Sequence, residues 1–225
     1  MNKKLKLITA ITAVTSALTF SAPGHAEAPS MNYVQFDYLV SGSADPSDLS
    51  MLTKNADVAG GYNVAGSFAL NDMFFVSGES LTPSLDASDD GGPDMASAAD
   101  QTFVGAGIQM PVADSMLVYG QAGLARATFV NEAGHGFGFK VGARARLGQV
   151  DLGAWYRMMK TSVDDGTDSY DIDPSAFGVD AAISFSPDAP QLVLGYQDGS
   201  TDVSSDTLDG SLDYNHFSIG VRKTF

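Results

Sequence analysis

Hydrophobic side chains recur at every second position in segment after segment of this chain. In residues 137–147, apolar or small side chains at the odd positions alternate with Gly, Lys or Arg at the even positions. A period of two is typical of a β-strand with one apolar and one polar face, and helical spacing is sustained nowhere. Ten segments have this pattern: 34–40, 58–70, 74–80, 103–110, 117–127, 137–147, 152–158, 177–185, 192–197 and 214–225.

The connections between these segments alternate in length. Tight turns are predicted at 71–72, 111–115, 148–149 and 187–190, and longer loops rich in Asp, Gly and Ser at 42–56, 82–101, 129–136, 161–175 and 198–212. One such segment also fits a soluble sandwich, but short turns on one side and long loops on the other are typical of membrane barrels. We predict an all-β, transmembrane, antiparallel up-and-down barrel of ten strands, with eight as the alternative. The first and last strands pair, and both termini lie at the periplasmic end.

The first residues have the character of a secretory signal peptide. Three lysines precede an apolar run at 7–20, and small residues follow that suit cleavage after Ala26 or Ala28. A membrane anchor is the alternative, but the run is short for a spanning helix and rich in Thr and Ser. The predicted organisation is a signal peptide at 1–26 and an outer-membrane barrel at 27–225, in a Gram-negative bacterium.

Composition removes several classes of function. The sequence has no cysteine, which excludes disulfides, thiolate metal sites and cysteine nucleophiles. Its net charge is −15, and it becomes −18 when residues 1–26 are removed, because they carry three lysines and no acid. Such a surface repels nucleic acid, so that partner is excluded. No cofactor is predicted.

The last predicted strand carries a pattern read by the barrel-assembly machinery. Phe217, Ile219, Val221 and the C-terminal Phe225 share one face. Lys223 stands where an aromatic side chain is usual, although a lysine near a membrane interface can extend its ammonium into water. The expected partners are therefore this machinery, outer-membrane lipid and lipopolysaccharide.

Three segments resemble a known family of small barrels. They are NYVQFDY at 32–38, GSFALNDMFFVSG at 66–78 and VGARARL at 141–147. With ten strands and this C-terminus, the chain resembles the porin-like, opacity-type outer-membrane barrels, and is most similar to a ten-stranded subfamily once linked to quorum-sensing signals. The resemblance implies a fold and a location, and no functional residue is carried over.

If the apolar face meets lipid, the polar face lines a narrow lumen. Its charged residues suit either an anion-selective constriction around Arg144, Arg146 and Arg157 or a structural ion-pair network, and the second is favoured because acids are available as partners. The predicted lumen charges are Asp37, Glu79, Lys140, Arg144, Arg146, Asp151, Arg157, Asp180 and Arg222, together with the polar Gln35, Gln109, Gln121 and His216.

A two-residue turn at 148–149 fixes the register of the strands on either side. It places Arg146 opposite Asp151, Gly142 opposite Trp155, and Val141 opposite Tyr156. We expect the indole of Trp155 to cover Gly142. The same register places Lys140 opposite Arg157, which requires a nearby acid such as Glu79 or Asp180.

Catalytic and metal-binding motifs are weak. Glu132 with His135 and Asp213 with His216 supply the ingredients of a hydrolase, without a longer motif. Asp86, Ser88 and Asp90 match the start of a calcium loop, but Ser97 stands where its glutamate is required. A solvated acidic loop that binds divalent cations weakly is favoured.

Three functional hypotheses follow. The favoured one is a non-enzymatic surface protein that stabilises the envelope and displays acidic extracellular loops. The alternatives are a narrow passive porin-like channel and, less favoured, a hydrolase at the outer rim.

Overall fold

The chain folds into a closed antiparallel barrel of ten strands. The computed structural model describes residues 28–47, 56–86, 100–129, 132–164, 169–186, 189–205 and 209–225. Each strand pairs with its neighbours in sequence, and β1 pairs with β10 to close the barrel. The strands are β1 Tyr33–Ser47, β2 Ala56–Ala69, β3 Phe74–Asp86, β4 Gln101–Ala113, β5 Met116–Phe129, β6 Glu132–Leu147, β7 Val150–Asp164, β8 Ser169–Ile183, β9 Gln191–Ser204 and β10 Asp209–Thr224.

The ten-strand count and the β1–β10 closure are confirmed, and the eight-strand alternative is wrong. The predicted long loops were too long, because most strands continue well into them. Residues 82–86 belong to β3, 132–136 to β6, and 161–164 to β7. The predicted signal peptide lies outside the described residues.

The short connections lie at the end of the barrel that carries both termini of the sheet. The turn at 148–149 is confirmed, and Gly148 has a φ of 63°, a left-handed conformation that glycine adopts without steric cost. The turn predicted at 111–115 is shorter, since β4 continues to Ala113 through an irregularity after Pro111. Residues 70–73 form the first of these connections.

The half of the barrel next to these short turns has an apolar exterior. Its outward side chains include Phe36, Ile108, Leu124 and Phe137, which are 50% to 71% exposed. Exposing such a surface to water is unfavourable, whereas contact with lipid is favourable. A closed barrel also leaves no backbone edge unpaired in the bilayer. We call this the membrane half: residues 33–40, 62–79, 103–124, 137–159, 176–186, 189–197 and 216–225. Within the described part of the chain, no helix is both long and apolar enough to span a membrane.

The opposite half of the barrel reverses this polarity. Its outward positions carry residues such as Asp45, Arg126, Ser162 and Asp213, while its inward positions are buried and mostly apolar. We call this the extracellular half, after the orientation expected from the sequence: residues 41–47, 56–61, 80–86, 100–102, 125–129, 132–136, 160–164, 169–175, 198–205 and 209–215. Its interior is built like that of a soluble protein.

Candidate functional site

The lumen of the membrane half collects the charged residues of the barrel wall. Because side chains alternate between the two faces of a strand, the positions between the lipid-facing residues point inward. Asp37 on β1 and Glu79 on β3 meet charges from β6, β7, β8 and β10 across the interior. The inward cations are Lys140, Arg144, Arg146, Arg157 and Arg222, and the inward acids are Asp37, Glu79, Asp151 and Asp180.

Glu79 lies between two cations from neighbouring strands. Lys140 on β6 and Arg157 on β7 are directly opposite each other, as the register predicted. The Lys140 Nζ donates to Glu79 Oε2 at 2.5 Å, and Arg157 donates to the other carboxylate oxygen and to Gln101. The side chains of all three ionic partners are at most 11% exposed. The acid expected between the two cations is thus present.

Trp155 lies on the lumen side and contacts the same two cations. Lys140 Nζ is 4.3 Å and Arg157 Cζ is 5.6 Å from its ring centroid, within the range of cation–π contacts. The predicted pairing of Gly142 with Trp155 is confirmed. The expectation that the indole covers Gly142 is wrong: the indole lies against Gly178 on β8, and a Cβ there would be 2.4 Å from the ring.

A second ion pair lies beside the 148–149 turn. Arg146 faces Asp151, as predicted, and donates through Nε at 2.6 Å and through Nη2 at 2.9 Å to the two carboxylate oxygens. This two-point geometry is the strong form of an arginine–carboxylate contact. Asp151 is 1% exposed and the Arg146 side chain is 25% exposed, so the acid of this pair is buried at the end of the barrel that carries the short turns.

A third group crosses the β1–β10 seam. Arg222 donates through Nη2 to Asp180 at 2.7 Å and through Nε to Gln35 at 2.6 Å. Gln35 in turn donates to both oxygens of Asp37, and Asn63 donates to Asp37 at 3.0 Å. The group therefore links β1, β2, β8 and β10 through buried polar contacts.

Arg144 differs from the other lumen cations. Among the described residues, no carboxylate lies within 4 Å of it, and its Nη1 donates to the carbonyl of Ser30 at 2.8 Å. Its guanidinium also lies 5.1 Å from the ring centroid of Tyr33. The next residue of the same segment, Met31, is 5% exposed and packs against Phe75 and Leu117. The segment before β1 thus contacts inward residues of β3, β5 and β6 at the end of the barrel that carries the short turns.

An apolar cluster inside the extracellular half was not predicted from the sequence. Twelve buried residues pack together across the interior, from eight of the ten strands. Several lie in segments that the sequence analysis assigned to loops, including Leu85, Ile172, Val203 and Leu212. The available signal was an alternation with its apolar positions on the opposite face. The cluster comprises Leu39, at the boundary with the membrane half, and Ala44, Val58, Leu81, Leu85, Ala127, Phe129, Val163, Ile172, Val203, Leu212 and Tyr214 in the extracellular half.

The two candidate catalytic pairs are not brought together. His216 faces the lumen and is 5% exposed, whereas Asp213 lies on the outer face of the same strand. Glu132 and His135 occupy opposite faces of β6, since their spacing is odd. Neither pair has the shared face that proton transfer between them requires.

The remaining candidate residues lie at the periphery. Phe217, Ile219, Val221 and Phe225 are on the exterior and 42% to 64% exposed, so the predicted assembly signal faces lipid. Asp86 ends β3, while Ser88, Asp90 and Ser97 lie outside the described residues.

The fold defines a transmembrane antiparallel β-barrel. No protein-family model matches the chain, and no curated protein sequence matches it. Similar solved structures include the outer membrane protease OmpT from Escherichia coli, at 11% identity over 86% of this chain and 96% of that one, with a TM-score of 0.48. An outer membrane channel from Pseudomonas putida F1 is 10% identical over 92% and 100%, with a TM-score of 0.49. Neisserial surface protein A is 17% identical over 87% and 98%, with a TM-score of 0.38. At these identities and scores, no activity is transferred to this chain.

Proposed function

We propose that this chain is a non-enzymatic outer-membrane protein with a closed lumen, which stabilises the envelope and displays acidic loops at the cell surface. The observation that carries the proposal is the twelve-residue apolar cluster in the extracellular half. Apolar side chains packed across the interior leave no path that a hydrated ion can follow without losing its water, a loss that is costly.

The ionic groups of the membrane half support the same interpretation. Glu79, Asp151 and Asp180 each pair with at least one cation, so Arg146, Arg157 and Arg222 are engaged within the wall. A selectivity constriction instead needs charges that face passing ions. Two of the three arginines in the alternative anion constriction, Arg146 and Arg157, are thus paired with acids of the barrel wall.

The proposed location is the outer membrane of a Gram-negative bacterium, reached by export with a cleaved signal peptide. The apolar exterior of the membrane half and the outward C-terminal pattern ending on Phe225 support it, and the sequence motifs favour the opacity-type family. In this location the barrel contacts phospholipid and lipopolysaccharide, and the assembly machinery inserts it. Divalent cations bound weakly by the acidic loops are a further proposed partner.

Bilayer recording tests the closed lumen. The refolded full barrel, checked for folding by its heat-dependent gel mobility, should give no current steps, while a conducting porin in the same bilayer gives them. Stable steps that change when Arg144, Arg146 or Arg157 is replaced by alanine would instead establish the narrow channel. Hydrolysis of peptide or ester substrates that is lost in His135→Ala would overturn the non-enzymatic assignment.

A further inference from the structure

The lipid-facing surface of the membrane half carries an apolar groove near the periplasmic end. One transverse row of directly paired outward residues crosses six consecutive strands, β5 to β10. The groove has a volume of about 690 Å³, in the range of small-molecule sites. The row consists of Met116, Ala145, Leu152, Ala181, Leu194 and Ile219.

Side-chain size explains the shape of this groove. The next row toward the extracellular side places Ala143 beside Ala154, so four alanines form the floor of the two rows. The larger Phe217 and Ile219 flank them on β10. Although Met116, Ala143 and Ala145 point away from the lumen, they are only 6%, 8% and 9% exposed. The outer surface is therefore recessed here rather than convex.

The surroundings of the groove restrict what can occupy it. Its rim residues, such as Val40, Val179 and Leu194, belong to the exposed apolar exterior and are 36% to 50% exposed. Water is absent at this depth of a bilayer, and a recessed apolar surface left empty would lose dispersion contacts. The groove is continuous with the lipid-facing band, so hydrocarbon is the chemistry that fits it.

The depth of the groove identifies the leaflet. Ala145 is three residues from Gly148 in the turn, which is less than about 10 Å along a tilted strand. Half of a bilayer core is about 15 Å thick, so the groove lies within one leaflet. In the orientation of the proposed function, on which this step rests, that is the periplasmic leaflet.

Lys223 lies four residues beyond Ile219 of the row, about 13 Å further along β10 toward its periplasmic end. It lies on the outward face of β10, in the same alternating series as Phe217, Ile219 and Val221, and it is exposed at the periplasmic end of the strand. We propose that the groove binds one acyl chain of a phospholipid of the periplasmic leaflet, whose phosphate contacts Lys223. This also accounts for a lysine where an aromatic side chain is usual.

The number of phospholipids that stay bound after extraction tests this proposal. The full barrel is extracted from membranes in mild detergent, and bound phospholipid is counted by native mass spectrometry. Wild-type protein should retain about one phospholipid per barrel. The double variant Ala154→Phe/Ala181→Phe fills the floor and should retain about fivefold less, because the rings occupy the space of the chain. Lys223→Met should lower retention by a smaller factor.

Ala122→Phe is the matched control, since Ala122 is an exposed, outward alanine on β5 outside the groove. It should retain as much lipid as wild-type protein, and heat-dependent gel mobility verifies that each variant is folded. Equal retention by the groove and control variants, no retained lipid in wild-type protein, or a wild-type dimer that the groove variant dissociates would each overturn the proposal. Bilayer conductance is independent of all these outcomes, so a failure here is distinguishable from a failure of the closed-lumen proposal.

Discussion

The two halves of the barrel are built from the same ten strands but place apolar side chains on opposite faces. In the membrane half, Phe36 and Leu124 face outward and Glu79 and Arg157 face inward. In the extracellular half, Asp213 faces outward while Leu212 faces inward with no exposed surface. Strands such as β10 change the polarity of both faces along their length, since Leu212 is inward and Asp213 outward at one end while Arg222 is inward and Phe217 outward toward the other. The change indicates where hydrocarbon gives way to water on the outside of the wall.

The comparison also shows two ways to fill a barrel of this width. Beside small apolar contacts such as Phe103 with Met159, the membrane half uses buried ion pairs, which need good geometry to offset the cost of removing charges from water. The extracellular half uses apolar packing, which has no such cost. The first should be sensitive to loss of a partner, and the second to loss of volume.

The largest expected effect is on the membrane half. Glu79→Gln leaves Lys140 and Arg157 facing each other without a carboxylate, and loss of one partner of a buried charged group costs about 3–5 kcal/mol. Urea unfolding in lipid vesicles, followed by the fluorescence of the single tryptophan, measures the free energy of unfolding. Adding Lys140→Met should restore part of the loss. A Glu79→Gln barrel as stable as wild-type protein would contradict a structural role for this acid.

Leu212→Ala tests the extracellular half. The side chain is 0% exposed within the apolar cluster, and truncating a buried leucine costs about 2–5 kcal/mol, depending on the cavity left. Leu124→Ala is the control, because Leu124 is 65% exposed on the lipid face and should lose only about 0.5 kcal/mol. If the two variants lose equal free energy in the same urea titration, the interior of this half is not packed as described.

Arginine substitutions on the outer face locate the boundary between the halves. Val141→Arg places a charge in the lipid-facing band and should cost about 2–4 kcal/mol. Ser162→Arg, on the outer face of β7 in the extracellular half, should stay within about 0.5 kcal/mol of wild-type protein. Unfolding in vesicles compares the two. A large loss at Ser162 would move the membrane boundary toward the loops.

The smallest effect is expected at an exposed ion pair. Lys160, which is 66% exposed, contacts Asp173 on the outer face of the extracellular half. Asp173→Asn should cost less than about 1 kcal/mol, because solvent and salt screen such pairs. Repeating the titration at high salt should remove the difference. A loss as large as that of Glu79→Gln would mean that this surface is shielded from water.

The strand count, the closure and the β6–β7 register were predictable because an apolar exterior gives a clear period of two. The extracellular half was not recognised because its exterior is polar, so the apolar positions of its strands lie on the other face. Once the outward positions become Asp and Ser, segments such as 198–212 resemble loops, and their inward Val203 and Leu212 stand out only if the apolar face is allowed to switch.

The lumen contacts were predictable only between adjacent strands. Arg146 with Asp151 follows from a two-residue turn, and the need for an acid near Lys140 follows from the same register. Which acid meets that need depends on the curvature of the whole wall, which brings Glu79 of β3 to β6 and β7. Trp155 on β7 pairs with Gly142 on β6 and with Gly178 on β8. The 148–149 turn fixes only the β6–β7 register, so it could not predict that the indole lies against Gly178.

The seam between β1 and β10 has a consequence for how the barrel forms. Tyr33 pairs with Thr224, so closure joins residues from nearly opposite ends of the sheet sequence. Contacts of such high sequence separation form slowly, since a long loop must close before any pairing compensates its entropy. Until then both edge strands expose unpaired backbone groups, which favours aggregation in water. We therefore expect a chain of this topology to need chaperones that bind it between its synthesis and its insertion into the membrane.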